Sequence, residues 1–182
     1  MGAGHRFGPR NPIGTMKAPT WLFGYGSLIW KQDFPFIEAR RAHVTGWMRR
    51  FWQGSHDHRG VQTDPGRVVT LVEAPGERCD GRAFLIEPEV FAHLDDREIN
   101  GYERRRVEIH FDHLTTPGVV YVAPIGSFAF LGEAPLDEMV AQIRRCTGPS
   151  GTNVDYVLEL ARALRQLDVT DPHVFELERL LL

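Results

Sequence analysis

The residues that could do chemistry lie in a few short polar segments. One carboxylate, Glu98, stands between a predicted helix and a predicted strand, beside Arg97 and close to Gly101 and Tyr102. If its side chain turned into an apolar cavity, burial would raise the pKa of the carboxyl group towards neutrality, as a general acid or base requires. The alternative is an exposed glutamate paired with Arg97 or Arg104.

A glycine loop is the second candidate. The apolar run Trp21-Leu22-Phe23 leads into Gly24-Tyr25-Gly26-Ser27, and the apolar pattern resumes at Leu28. Two glycines permit unusual backbone angles and allow N–H groups to converge on an anion. The loop matches neither the dinucleotide-binding fingerprint nor the P-loop. A purely structural glycine turn is therefore the alternative.

Two further polar segments carry weaker signals. His56 and His58 flank an aspartate in residues 55–60 (SHDHRG). This is poor spacing for zinc without a third ligand nearby, and hydrogen bonding within the loop is the expected role. Residues 148–153 (GPSGTN) precede a predicted helix, so they could offer N–H groups to a ligand or serve only as its capped start. The chain has no G-x-S-x-G nucleophile motif.

The elements that must position these residues change character along the chain. Alternating apolar residues predict strands in the first two thirds, and Pro75-Gly76 predicts a turn that joins two of them into a hairpin. Helical spacing and capping signals follow, including Ser150 or Thr152 as one N-cap and Asp171-Pro172 as the next. Strands first and helices last predict an α+β fold. We expect the arginine clusters at 49–50, 104–106 and 144–145 on solvated faces.

Length and composition narrow the classes of protein. The chain has 182 residues, 42% of them hydrophobic, and a net charge of −3. This predicts one domain over residues 21–182 after a mobile arm at 1–20. The charge balance does not indicate binding to nucleic acid, and no apolar run is long enough to span a membrane. Two distant cysteines and no secretory signal favour a cytoplasmic location.

Taken together and in order, the motifs resemble the ChaC-like family of γ-glutamylcyclotransferases. The resemblance covers nearly the whole chain, from about Trp21 to Leu180. It is carried by six segments: residues 23–30 (FGYGSLIW), 46–53 (GWMRRFWQ), 55–60 (SHDHRG), 65–72 (PGRVVTLV), 97–102 (REINGY) and 148–153 (GPSGTN). One departure is Asn100, which stands where the family usually has a glycine. Asparagine tolerates the left-handed backbone conformation better than most residues.

The resemblance implies a compact mixed β-barrel with flanking helices, and neither a metal nor an organic cofactor. It implies Glu98 as the catalytic acid and base. It also implies substrate-binding roles for six residues, namely Tyr25, Gly26, Ser27, Leu28, Tyr121 and Tyr156. The small-molecule substrate of this branch is glutathione. The oligomeric state is left open.

The implied reaction is an intramolecular aminolysis. The α-amine of the γ-glutamyl group attacks its own γ-carbonyl, so that 5-oxoproline forms and Cys-Gly leaves. No serine or cysteine nucleophile is needed, which agrees with the absence of such a motif. The alternatives are another γ-glutamyl amine or dipeptide as substrate, a non-catalytic regulatory binding module, and, more remotely, a zinc enzyme built on His56 and His58.

Overall fold

The computed structural model describes residues 14–97 and 101–182, and its main body is a closed five-stranded barrel flanked by helices. The barrel strands are β1 (Thr20–Gly24), β2 (Glu38–Ser55), β3 (Gly66–Ile86), β4 (Glu103–His110) and β5 (Thr115–Val122). The helices are α1 (Pro88–Arg97), α2 (Leu136–Arg145), α3 (Asn153–Gln166) and α4 (Pro172–Leu181). The predicted α+β class and mixed barrel are confirmed.

The barrel closes in the order β1-β3-β2-β4-β5 and back to β1. All neighbouring strands are antiparallel except β1 and β5, which pair in parallel through Trp21 with Gly118 and Leu22 with Val119. A short 3₁₀ turn (Ser27–Ile29) follows β1. A two-stranded ribbon, β6 (Thr147–Gly148) and β7 (Gly151–Thr152), precedes α3.

The hairpin predicted at Pro75-Gly76 is wrong. Strand β3 runs without a break from Gly66 to Ile86, and both of its halves pair with β2. The register shifts between Thr45 and Trp47 of β2, opposite the Pro-Gly pair. The extra residues are therefore absorbed as a bulge, which bends a long strand around the barrel without reversing it.

The two predicted N-caps start their helices. The Thr152 hydroxyl accepts a hydrogen bond from the backbone N–H of Asp155 at 3.0 Å, which selects Thr152 over Ser150 as the cap of α3. The Asp171 carboxylate accepts from the N–H of Val174 at 3.2 Å and caps α4. Both side chains satisfy a donor that the helix itself cannot.

The apolar interior has two parts. The larger part lies between the barrel and helices α2, α3 and α4, and includes Phe23, Phe51 and Leu160. The smaller part lies under α1 and includes Phe84 and Phe91. Of the helices in the described ranges, none combines the length and apolarity needed to cross a membrane. The predicted division into arm and domain stays a prediction, and residues 1–13 lie outside the described part of the chain.

One half-buried histidine, His173, has a perturbed pKa. The Nε2 atom of His173, in α4, accepts a hydrogen bond from the backbone N–H of Phe51 at 3.1 Å, which requires a neutral ring at that nitrogen. Burial lowers the pKa of His173 from 6.5 to about 4, with further lowering from the charge on Arg50. Between pH 6.5 and about 4, the unfolded chain therefore binds a proton at His173, whereas the folded chain does not.

We predict that the free energy of unfolding falls as the pH drops from 6.5 to about 4, because the folded-state pKa of His173 lies below its unfolded value. This group contributes about 3 kcal/mol to the loss. Urea unfolding of wild type and His173→Gln at pH 7, 5.5 and 4 measures it, with a flatter profile expected for the variant. Parallel pH profiles of the two proteins would contradict the prediction.

Candidate active site

A cavity of about 200 Å³ opens beside the glycine loop. Its lining includes all six residues that the sequence analysis assigned to substrate binding, namely Tyr25, Gly26, Ser27, Leu28, Tyr121 and Tyr156. They come from the end of β1, from β5 and from α3, so the fold brings together positions that are more than 120 residues apart in the chain. Tyr25, Gly26 and both other tyrosines are buried, whereas Ser27 is exposed.

The predicted catalytic residue, Glu98, lies outside the described residues. The structure does place the flanking segments. Leu94, in α1, and Tyr102, just before β4, both line the cavity. Each is four positions from Glu98 in the sequence.

Two tyrosine hydroxyls of the cavity form a chain of hydrogen bonds. The Tyr25 hydroxyl donates to the backbone carbonyl of Tyr121 at 2.6 Å, and the Tyr121 hydroxyl donates to Oδ1 of Asp95 at 2.6 Å. Asp95 in turn lies 3.1 Å from Nε of the buried Arg104. These hydrogen bonds thus connect the glycine loop to β5, and β5 to helix α1.

The hydroxyl of the third tyrosine accepts a hydrogen bond, whereas those of the other two donate. The Tyr156 hydroxyl accepts a hydrogen bond from the backbone N–H of Val69 at 3.3 Å. Burial raises the pKa of Tyr156 to about 12, so the hydroxyl keeps its proton near neutral pH. The same oxygen would lie 3.1 Å from a Cβ built on Gly26. Cγ2 of Val69 would lie 2.9 Å from the same Cβ, so glycine lets the loop pass close to both groups without displacing them.

Another part of the cavity lining comes from the segment 55–60, through Ser55, Asp57, His58 and Arg59, and from Ser150 of the segment 148–153. The backbone N–H of Ser150 donates to the carbonyl of His58 at 2.9 Å, and the Ser150 hydroxyl lies 3.0 Å from Nδ1 of the His58 ring. A Cβ on Gly148 would come within 2.3 Å of the same carbonyl. His58 therefore forms hydrogen bonds, as expected, but to the second segment and not within its own loop. Both of the weaker segments contribute to the cavity.

Arg59 is a cavity residue that the sequence analysis did not single out. Its guanidinium donates to the backbone carbonyl of Thr152 at 3.1 Å, pairs with Glu159 at 3.4 Å and lies over the ring of Tyr156. The side chain is only 12% exposed. The signal available was the SHDHRG segment as a whole, in which only the two histidines drew attention.

The histidines do not form a metal site in the described part of the chain. His58 lines the cavity, whereas the His56 ring packs against Phe128 with ring centroids 5.7 Å apart. Among the described residues no group of three or more histidine, cysteine, aspartate or glutamate side chains is arranged to hold a metal ion.

Arg49 holds the glycine loop from inside the protein, so its predicted place on a solvated face is wrong. Its Nε donates to the carbonyl of Tyr25 at 2.6 Å, and Nη2 donates to the carbonyl of Asp80. Nη1 pairs with the Asp171 carboxylate at 2.5 Å. Arg104 is buried as well. Arg105, Arg106, Arg144 and Arg145 are exposed, as expected.

Comparison with known proteins agrees with this site. The family model described as ChaC-like protein matches residues 20–182. The chain belongs to the ChaC-like protein family. This match spans the glycine loop, the cavity walls and all four helices.

Curated relatives of this ChaC-like chain are similar over most of their length. Glutathione-specific gamma-glutamylcyclotransferase 1 from Danio rerio is 40% identical over 177 residues, which cover 91% of this chain and 90% of the relative. Gamma-glutamylcyclotransferase 2-3 from Arabidopsis thaliana is 41% identical over 170 residues, which cover 86% and 85%.

Solved structures share the fold. A glutathione-specific gamma-glutamyl cyclotransferase from yeast superimposes with a TM-score of 0.83 at 29% identity, covering 91% of this ChaC-like chain and 96% of the yeast chain. Another gamma-glutamyl cyclotransferase, at 15% identity, has a TM-score of 0.59 and covers 88% and 86%. At that identity the likeness shows the fold alone.

We predict that Arg49→Met lowers the free energy of unfolding by about 3–5 kcal/mol, because the change leaves the Asp171 carboxylate without its buried partner. Two backbone carbonyls also lose their donor. The matched control is Arg50→Met, at a half-buried neighbour that donates to the carbonyl of Arg49. Urea unfolding at pH 7 compares the two variants, and losses of equal size would contradict the prediction.

Proposed function

We propose that this protein is a glutathione-specific γ-glutamylcyclotransferase, which converts reduced glutathione to 5-oxoproline and Cys-Gly. The observation that carries the proposal is the similarity to curated proteins with that specificity, about 40% identity over nine tenths of both chains. The cavity supports it, because the glycine loop and three tyrosines from distant segments meet around a space suited to a small polar molecule.

The reaction requires few functional groups from the protein. Amine and carbonyl belong to one molecule, so the protein has only to fold the glutamyl chain, remove a proton and supply one. Holding reacting groups in attack geometry can be worth about 7–11 kcal/mol at the extreme. Tyr25, Tyr121 and Tyr156 line the cavity and provide surfaces against which the glutamyl chain can fold.

We assign the proton transfers to Glu98. A single carboxylate with a raised pKa can take a proton from the α-amine and return it to the departing amine of Cys-Gly. Support comes from the matching family motif at 97–102, and from Leu94 and Tyr102, which line the cavity on either side of Glu98 in the sequence.

We assign the anionic groups of the substrate to the glycine loop. In the tetrahedral intermediate the former carbonyl oxygen carries negative charge, and backbone N–H donors stabilise such charge. The backbone N–H groups of Tyr25, Gly26, Ser27 and Leu28 are the proposed donors. The 3₁₀ turn supports this role, because its first internal hydrogen bond is made by Ile29 to the carbonyl of Gly26. The N–H groups of Ser27 and Leu28 come before it.

We also propose that the protein acts in the cytoplasm and needs no metal. The two cysteines, Cys79 and Cys146, are buried free thiols, a state that suits a reducing compartment. The family resemblance implies a metal-free reaction.

We predict that purified wild-type protein in EDTA releases 5-oxoproline and Cys-Gly from reduced glutathione, followed by mass spectrometry. Glu98→Gln is expected to lose at least about 100-fold in kcat, because it removes the acid and base together. The matched control is Glu89→Gln, an exposed residue of helix α1, which should retain full activity.

Each other outcome changes one part of the proposal. Turnover by a folded Glu98→Gln enzyme would remove Glu98 from the mechanism, and activity lost only in EDTA would indicate a metal. If folded wild type releases no product, γ-glutamyl-alanine and γ-glutamyl-lysine are tested next. Failure of all three substrates would favour the non-catalytic binding module.

We predict that Gly26→Val lowers kcat/KM by at least about 100-fold, since one preorganised oxyanion donor is typically worth that much. The new Cβ would lie 2.9 Å from Cγ2 of Val69 and 3.1 Å from the Tyr156 hydroxyl, so the loop has to move. Gly14→Val is the control, because a Cβ there meets nothing within 4 Å. Unchanged kinetics in a folded Gly26→Val enzyme would remove the loop from substrate binding.

A further inference from the structure

One cation of the cavity lining, Arg59, has no part in the roles proposed for Glu98 and the glycine loop. Within the described ranges 14–97 and 101–182, the lysine and arginine residues that line the cavity are Lys31 and Arg59. Lys31 is exposed, whereas the side chain of Arg59 keeps only 12% of its surface exposed. A charge held this far out of water requires partners. The partners that Arg59 already has therefore indicate what it can still bind.

The guanidinium of Arg59 has more N–H groups than partners. It carries five N–H donors. Nη1 donates to the carbonyl of Thr152 at 3.1 Å, and Nη2 donates to Oε2 of Glu159 at 3.4 Å. The described residues supply no other hydrogen-bond acceptor to this guanidinium. The Glu159 side chain is 40% exposed, so water screens its charge. Three N–H groups remain, and a bidentate contact with a carboxylate uses two.

Tyr156 relates the position of this guanidinium to the glycine loop. The Cζ atom of Arg59 lies 5.8 Å from the centre of the Tyr156 ring. The hydroxyl at the end of the same side chain lies next to Gly26, 3.1 Å from a Cβ built there. Arg59 and the loop therefore contact different parts of one aromatic side chain. A ligand that reaches both has to extend along Tyr156.

Glutathione carries two carboxylates at different distances from the reacting carbonyl. The α-carboxylate belongs to the glutamyl group, which folds into a five-membered ring, so it stays close to that carbonyl and to the N–H groups of the glycine loop. The glycine carboxylate belongs to the leaving Cys-Gly, whose two residues span up to about 7 Å when extended. The glycine carboxylate is therefore the one that can extend from the loop towards Arg59.

We infer that Arg59 binds the glycine carboxylate of glutathione and makes the site selective for substrates that carry a negative charge at that position. This deepens the proposed function and rests on it. A γ-glutamyl amine has no carboxylate two residues beyond the bond that breaks, so it gains nothing from Arg59. The glycine carboxylate is present in both the substrate and the transition state. The contact therefore lowers KM and leaves kcat unchanged.

The test compares two substrates that differ only in this charge. Reduced glutathione and its glycine amide are supplied to the wild-type protein and to Arg59→Gln, Lys31→Gln and Arg162→Gln. Release of 5-oxoproline gives kcat and KM, and urea unfolding checks that each variant is folded. Arg162→Gln is the matched control, because Arg162 is an exposed arginine of helix α3 that does not line this cavity.

The wild-type KM is expected to be at least about tenfold higher for the amide than for glutathione, as for a lost hydrogen bond to a charged group. Arg59→Gln should raise the KM for glutathione by a similar factor. It should change kcat, and the KM for the amide, by less than about threefold, because the amide never had the contact. The difference between the substrates therefore disappears in this variant, whereas Lys31→Gln and Arg162→Gln keep it.

Several results would overturn the inference. Equal losses on both substrates in Arg59→Gln indicate a structural role or a contact with the α-carboxylate. Loss of the difference in Lys31→Gln alone assigns the glycine carboxylate to Lys31. If Arg59→Gln fails to fold, the wild-type comparison still decides, because equal KM values show that the glycine charge is not recognised. Wild-type protein that converts neither substrate overturns the proposed function along with the inference, whereas conversion of both at equal KM overturns the inference alone.

Discussion

The buried guanidinium of Arg49 connects the glycine loop, the barrel and helix α4, and the cavity depends on the relative positions of these three parts. It donates to the carbonyl of Tyr25 in the glycine loop and to the carbonyl of Asp80 in strand β3, and it pairs with Asp171 at the start of helix α4. A charge taken out of water is tolerated only where it is paired and hydrogen-bonded. The barrel, the loop and the C-terminal helix are therefore held in one arrangement. Asp171 serves the helix as well, since its other oxygen caps α4.

The cavity extends this arrangement outward from the glycine loop. Backbone and side-chain bonds between His58 and Ser150 close one wall, and Arg59 spans the start of α3 beside Tyr156. The tyrosines connect the cavity to the surrounding elements, because the hydroxyl of Tyr121 donates to Asp95 and that of Tyr156 accepts from the backbone N–H of Val69.

Much of the fold was predictable, because the signals for it are local. Helix starts at Thr152 and Asp171 depend on side chains within three residues, and the strands are marked by apolar alternation. The predictions failed where a local sequence pattern is compatible with more than one structure. Pro75-Gly76 fits a turn, but here the long pairing of β2 with β3 absorbs it as a bulge. Arg49 and Arg104 each stand beside another arginine in the sequence. Nothing nearby in the sequence indicates that the fold provides buried carbonyl and carboxylate partners for them.

The sequence by itself determined the family, the α+β class and the residue types of the glycine loop, because short segments of sequence carry each of these signals. It also supplied the six residues that meet around the cavity. Only the tertiary structure decided that Arg49 is buried, that the pKa of His173 is lowered, and that the Tyr121 hydroxyl donates to Asp95. The reason is physical. Burial, protonation and the direction of a hydroxyl depend on partners far away in the chain, and those partners are set only when the barrel closes.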